Sequence, residues 1–136
     1  MPYIVSLEKC NSYNQNEVDV AIKKLILNLG GISNFIKKGQ KILIKPNIVK
    51  GMKPEQCATT HPAVVESIIK ILKENKCDVF VGDSPFVDDA AEAIKNCGIY
   101  DVCKKHNAKI AVFDRKINSS SKNRLVVNEF PLTHWF

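Results

Sequence analysis

The sequence lacks a long hydrophobic run and a leader. No apolar run approaches the roughly 18 to 20 residues of a membrane span, which excludes a membrane-spanning helix and a membrane partner. The start of the chain, residues 1–6, has no basic n-region and no cleavage-type ending, so we expect no signal peptide. These absences predict a cytoplasmic protein.

The cysteines are few and widely spaced. There are five of them, an odd number, at Cys10, Cys57, Cys77, Cys97 and Cys103. No C-x-x-C pair occurs, so the sequence contains no zinc ribbon, no thioredoxin-type motif and no iron–sulfur cluster run. We therefore expect free thiols in a reducing compartment, with no metal and no cofactor bound by this chain.

Arginine is almost absent. Of the 20 basic residues all are lysines except Arg115 and Arg124, and they outnumber the 14 acidic residues to give a net charge of +6. Proteins that read nucleic acids favour arginine for bidentate contacts, so the lysines predict a solvated surface without a nucleic-acid partner. An anionic small molecule is the more plausible ligand.

The common phosphate and nucleophile motifs are missing as well. No G-x-G-x-x-G follows a predicted strand, and neither G-x-x-x-x-G-K-[ST] nor G-x-S-x-G occurs anywhere. The ordinary dinucleotide, P-loop and serine-hydrolase interpretations are therefore weak.

The length and composition indicate one globular domain over residues 1–136, because 45% of the residues are hydrophobic and 25% are charged. Apolar runs predict strands at residues 3–7, 41–45, 77–81, 109–113 and 124–128. Helical periodicity predicts one helix that begins at an Asn16 cap and another that begins at a Thr59 or Thr60 cap. Two further helices are predicted over residues 88–97 and 99–106. Residues 118–123 are predicted to form a loop.

The order of these elements indicates the fold class. Strands alternate with helices, and the inner strands are continuous apolar runs rather than alternating ones. Such runs are typical of a parallel sheet covered on both faces. We expect an α/β fold, namely a three-layer Rossmann-like core with a mostly parallel sheet.

Ligands bind outside the carboxyl ends of parallel strands, so the residues that follow each predicted strand are the candidate site. Lys45 supplies positive charge and His61 is the proton-transfer candidate, while Asp83 either orients that histidine or holds a metal with bound water. We assign these three as candidate catalytic residues. The candidate ligand-binding residues are Asn47, Thr59, Thr60 and Ser84, with N–H donors expected from the helix that starts near Thr59.

Each of these residues also has a purely structural explanation. Thr59 or Thr60 caps a helix, Ser84 caps the next one, and Asn47 closes a turn. Asp114 ends the strand at 109–113 in the same way as Asp83 ends its own strand. The sequence alone leaves open a ligand site and a set of unrelated caps and turns.

Three segments occur in an order and at spacings that resemble a known family: KILIKPNIV (41–49), ATTHPAVVESIIKIL (58–72) and VFVGDSP (79–85). They are similar to the bacterial and archaeal family called domain of unknown function 362, over roughly residues 3–115. The resemblance implies a longer protein of which this chain is the N-terminal part. Many members carry a ferredoxin-like module with two four-iron four-sulfur clusters, and the family offers no established catalytic residues.

Three functions remain open. The first is the substrate-binding part of an iron–sulfur-associated redox protein, whose clusters are held by a C-terminal module or a partner. The second is a stand-alone module that binds a carboxylate or phosphate, and the third is a truncated fragment without activity of its own. Whether the chain is an enzyme is left open. We also expect self-association through a C-terminal apolar segment, with the residues Val126, Val127, Phe130, Trp135 and Phe136.

Overall fold

The computed structural model describes residues 3–84, 89–111, 113, 115–120 and 129–134, the last two ranges as backbone only. The described helices are α1 (Gln15–Asn28), α2 (Pro62–Glu74), α3 (Ala90–Asn96) and α4 (Ile99–Lys105). The described strands are β1 (Lys41–Ile44), β2 (Asp78–Val81), β3 (Lys109–Ile110), β4 (Arg115–Ser120) and β5 (Glu129–His134). Short 3₁₀ turns lie at Ile32–Asn34 and Pro54–Gln56.

The first three strands form an open parallel sheet in the order β1-β2-β3. Ile42 lies beside Val79 and Ile44 beside Val81, and Ile110 lies on the other side of Val81. The predicted α/β fold and the predicted neighbouring strands are thereby confirmed. β4 and β5 pair antiparallel in a separate two-stranded sheet.

The core lies where α2, α3 and α4 meet one face of the parallel sheet. Val79 and Val81 of β2 are fully buried there, together with Ile69 of α2 and Ile99 of α4. Burying side chains of this size stabilises each position by about 1.5–3 kcal/mol, so this cluster supplies much of the driving force for folding. β2 continues into Gly82, where a Cβ atom would lie 2.2 Å from the carbonyl oxygen of Ala111, so this approach of the chain requires glycine.

Polar contacts fix α1 against α2. The Asp19 carboxylate accepts hydrogen bonds from Gln15, Ser67 and Lys70, and the Gln15 amide also donates to Ser67 and to the carbonyl of Ala63. Burial alone would raise the pKa of Asp19, but these donors, Lys70 foremost, hold it below its usual value. Residue numbers rise together along both helices in these contacts, so α1 and α2 run parallel.

Several sequence predictions need correction. Residues 3–7 form no strand, and their side chains are largely exposed. α1 begins after Asn14, whose side chain accepts from the Asn16 N–H, so Asn14 rather than Asn16 is the cap. Asp89 rather than Ser84 caps the helix α3.

At the end of the chain, the strand β4 runs through Ser120, so residues 118–120 of the predicted loop over 118–123 are strand, and residues 121–123 lie outside the described residues. A polar sequence such as RKINSS carries no apolar strand pattern, which explains the miss. The predicted strand at 124–128, Asp114 and most of the C-terminal apolar segment lie outside the described residues. None of the described helices has the length and apolar character needed to cross a membrane.

Candidate functional site

The ends of β1 and β2 are joined by a charged pair. Asp83 follows β2 by two residues and its side chain is 6% exposed. One carboxylate oxygen, Oδ2, accepts the backbone N–H of Ile48 at 2.7 Å. The other, Oδ1, lies 2.5 Å from Nζ of Lys45, which directly follows β1 and is 63% exposed. The pair therefore places a solvent-accessible ammonium group over a buried carboxylate.

The loop after β1 is closed against the residues before α2. The Asn47 N–H donates to Oγ1 of Thr60 and the Thr60 N–H donates to the Asn47 carbonyl, both at 2.9 Å. Ile48 and Thr59 form an isolated antiparallel bridge next to them. Oγ1 of Thr59 is buried and has no hydrogen-bond partner among the described residues. An unpaired buried hydroxyl is costly, so Thr59 is the clearest free polar group at this edge.

His61 is the cap of α2. Its Nδ1 accepts the backbone N–H of Ala63 at 3.1 Å, which corrects the prediction that Thr59 or Thr60 caps this helix. Both threonines are instead engaged by the loop after β1. Because Nδ1 accepts a hydrogen bond, the neutral ring carries its proton on Nε2.

The helix start offers fewer donors than predicted. Pro62 has no N–H, the N–H of Ala63 is bonded to the His61 ring, and the N–H groups of Val64 and Val65 both reach the His61 carbonyl. The first-turn N–H groups are therefore satisfied within the chain. An anion at this edge would depend on side chains, not on the helix terminus.

A tyrosine that sequence reasoning missed completes the surroundings of His61. The ring of Tyr13 stacks on the His61 ring with centroids 3.7 Å apart and planes 10° from parallel. Burial lowers the pKa of His61, and the nearby Glu55 carboxylate opposes that shift. No local pattern identifies Tyr13, since the two residues are far apart in the chain and meet only in the folded structure.

Taken together, the structure brings Lys45 into contact with Asp83 and Asn47 into contact with Thr60, and Ile48 links the two pairs. His61 is next to Thr60, but its described ring contacts are with Tyr13 and Ala63. The described contacts of Asp83 are with Ile48 and Lys45, so the structure gives it no part in orienting His61. Ser84 is exposed and outside these contacts.

The five cysteines differ in burial. Cys77, Cys97 and Cys103 are buried, whereas Cys10 and Cys57 are exposed. Burial raises the pKa of Cys103 to about 11, which disfavours the thiolate that ligates iron. The described part of the chain contains no group of three or more His, Cys, Asp or Glu side chains placed to hold a metal ion.

Comparisons with known proteins identify relatives. The model of the family described as "Domain of unknown function (DUF362)" matches residues 42–134. The thylakoid-associated protein sll1697 of Synechocystis sp. is 34% identical over 94 residues, which are 69% of this chain and 29% of that protein. The match thus spans less than a third of that relative's length. No solved structure matches the chain.

Proposed function

The chain belongs to the DUF362 family, whose function is uncharacterised, and from that premise we propose that it is the substrate-binding α/β part of a longer protein. Its ligand is a small carboxylate, bound at the carboxyl ends of β1 and β2. The observation that carries the proposal is the pair formed by the exposed Lys45 ammonium and the buried Asp83 carboxylate.

The position of this pair supports a ligand site. It lies at the strand ends, where parallel sheets bind ligands. Asp83 neutralises part of the Lys45 charge, so the pair suits one negative charge better than several. The first-turn N–H groups of α2 are already bonded within the chain, which removes the usual donors for a phosphate. A carboxylate is therefore favoured over a phosphate.

The remaining polar groups have distinct roles in the proposal. Lys45 binds the ligand carboxylate, and Asp83 holds Lys45 in place. The Asn47 side-chain amide and the Thr60 hydroxyl supply further hydrogen bonds, whereas the Thr59 hydroxyl is buried. His61, with its proton on Nε2, acts as a hydrogen-bond donor to the ligand; its other nitrogen holds the helix cap and is not available as a base.

The wider role of the protein is also a proposal. Family resemblance supports a redox protein whose iron–sulfur clusters are held outside this chain, since this sequence contains no iron–sulfur cluster run of cysteines. Cytoplasmic localisation remains part of the same proposal. The relative's name describes that relative as thylakoid-associated, which leaves the compartment of this protein to be measured.

Thermal unfolding in the presence of small anions tests the site. Acetate, glycolate and inorganic phosphate are added at equal ionic strength to the wild-type chain and to Lys45→Ala. Lys109→Ala is the matched control, because Lys109 is equally exposed and forms a 2.9 Å pair with Asp78 at the opposite end of the sheet. A carboxylate should raise Tm saturably in the wild type and in the control, because binding stabilises the native state.

Lys45→Ala should lose that increase. If no carboxylate raises Tm, or if Lys45→Ala responds as fully as the wild type, the proposed ligand site is wrong. If phosphate raises Tm and no carboxylate does, the ligand is a phosphate and not a carboxylate. A lower Tm in Lys45→Ala without any ligand effect in the wild type would assign the Lys45–Asp83 pair a structural role.

A further inference from the structure

Residues 3–7, the N-terminal segment, expose an unusual amount of apolar surface. Tyr3 is 99% exposed, Ile4 76%, Val5 86% and Leu7 92%. The segment has the residue types and the continuous apolar pattern of a buried strand, yet it forms no strand in the structure. Contiguous exposed apolar residues of this kind mark an interaction surface.

The segment is hydrogen-bonded to α1 and pairs with no strand among the described residues. The Asn28 side chain at the end of α1 donates to Oγ of Ser6 at 3.2 Å and to the carboxylate of Glu8 at 3.0 Å. Further along, Tyr13 is stacked on His61 at the start of α2. These contacts anchor the chain at Ser6, Glu8 and Tyr13, while the side chains of Tyr3, Ile4 and Val5 stay exposed.

The same chain presents a site that such a strand would fit. β1 (Lys41–Ile44) is an edge of the parallel sheet, with β2 on one side and no strand on the other among the described residues. The unpaired backbone groups of an edge strand readily accept another strand. A strand placed there, before α1 in chain order, would complete a strand–helix–strand unit with α1 and β1.

The helix α1 also has apolar surface left to cover. Its apolar residues Ile22 and Leu25 are only half-buried, and a cavity of about 310 Å³ lies between these residues, Val64 of α2 and residues 8–13. The β1 edge and the exposed N-terminal segment both lack a strand partner among the described residues.

We infer that the N-terminal segment of one copy pairs in parallel with the β1 edge of a second copy, and that the exchange is reciprocal. Each copy supplies one N-terminal segment and one β1 edge. When two copies exchange segments, every segment and every edge is paired, so the assembly closes as a two-fold dimer. The Asn28 hydrogen bonds to Ser6 and Glu8 hold the segment on α1, where it pairs with no described strand of its own chain and is available to the β1 edge of a second copy. This inference is independent of the proposed ligand site.

Light scattering coupled to size exclusion tests the inference on the full chain over a wide concentration range. We expect the mass to rise from 15.2 kDa to twice that value with concentration. Val5→Asp should stay monomeric, because a charge is buried in the exchanged strand. Val49→Asp, which changes another exposed valine outside the segment, should dimerise like the wild type.

Amide hydrogen exchange of the wild type gives a second measurement that needs no variant. In the dimer, amides of residues 4–6 should exchange at least about tenfold more slowly than in the dilute monomer, as expected for paired strand amides. A monomer at every concentration overturns the inference, and so does a dimer that survives Val5→Asp. A monomer in which residues 4–6 are protected would show that the segment docks on its own chain, which also overturns it.

Discussion

At the scale of single residues, the Asp83 carboxylate determines how the ends of β1 and β2 are joined. It is buried, accepts the N–H of Ile48 and lies beside the Lys45 ammonium. Lys45 is mostly exposed, so the ion pair itself contributes little to stability, about 0–1 kcal/mol. The hydrogen bond to the Ile48 N–H is the larger contribution, because that donor is buried.

This difference can be measured with two variants. Asp83→Ala leaves the Ile48 N–H without an acceptor and should lower the free energy of unfolding by about 1–3 kcal/mol. Asp83→Asn keeps an oxygen at the same place and should lose less. Chemical denaturation gives both values, and equal losses for alanine and asparagine would show that the charge, not the acceptor, is what matters.

His61 makes stability depend on pH. Because burial lowers its pKa, with Glu55 in partial opposition, the unfolded chain binds a proton at a higher pH than the folded chain. The contribution of His61 is therefore fully present above pH 6.5 and is lost as pH falls from 6.5 through the lower folded pKa. Protonation of Nδ1 also removes the acceptor that caps α2.

We expect His61→Asn to remove this part of the pH dependence. Asparagine keeps an oxygen that can cap the helix at any pH, whereas His61→Ala removes the cap and should cost about 1 kcal/mol even above pH 6.5. Urea denaturation on both sides of that pH gives the comparison. A His61→Asn chain that loses as much stability on acidification as the wild type would refute the assignment.

At the scale of the elements, a buried carboxylate ties α2 to α4. Oε1 of Glu66 lies 2.7 Å from Nζ of Lys105 and 2.8 Å from Nε2 of His106. Burial alone would raise the pKa of Glu66, but Lys105 and His106 lower it more, so the net shift is downward. Its contribution is present above its unfolded pKa and is lost as pH falls below 4.5 through the folded value.

Replacing this glutamate should weaken the helix pair. Glu66→Ala leaves His106 half-buried without its partner, and we expect the free energy of unfolding to fall by about 1–3 kcal/mol near neutral pH. Glu74→Ala is the control on the same helix. Glu74 is exposed, and its carboxylate lies as far as 3.9 Å from Nζ of Lys23, so this ion pair is weak. Equal losses for the two variants would show that the Glu66 contacts add nothing.

The strands of the parallel sheet were predictable, and the reason is physical. A strand buried in a parallel sheet is apolar along its whole length, as residues 42–44 and 79–81 are. Residues 3–7 carry the same pattern but form no strand in the structure. Strand formation requires a partner edge, and a local pattern cannot show whether that edge is reached.

The contact between Lys45 and Asp83 was predictable, whereas the local contacts of Thr60 and His61 were not. Strand ends converge in a parallel sheet, which correctly placed Lys45 beside Asp83. Thr60 was predicted as a possible cap of α2, but its hydroxyl accepts the Asn47 N–H instead. The His61 ring caps the helix in its place. Such competition depends on residues that approach only in the folded chain.

At the scale of the whole molecule, the five thiols divide by location. Cys10 and Cys57 are exposed, whereas Cys77, Cys97 and Cys103 are buried, and burial raises the pKa of Cys97 and Cys103. A buried, protonated thiol reacts slowly. We expect a thiol reagent to modify two cysteines rapidly in the native chain and all five after denaturation. Rapid native modification of a third would contradict the core packing.

The C-terminal apolar segment stays a separate prediction about the whole chain, because most of its residues lie outside the described part. Self-association through it does not depend on Val5, so the Val5→Asp test is made in the chain that lacks residues 135–136. Deletion of residues 135–136 together with light scattering distinguishes the two surfaces. The dimer inferred from the N-terminal segment should survive that deletion.

The ligand site is the central claim about the whole molecule, and an NMR titration of the ¹⁵N-labelled chain with acetate tests it most directly. The amides of Ile48, Thr60 and Ala63 should shift saturably, and Lys45→Ala should weaken the affinity by about tenfold, as expected for the loss of one charge-assisted hydrogen bond. Unsaturable shifts spread over the lysine-rich surface, or wild-type affinity in Lys45→Ala, would contradict a site at the ends of β1 and β2.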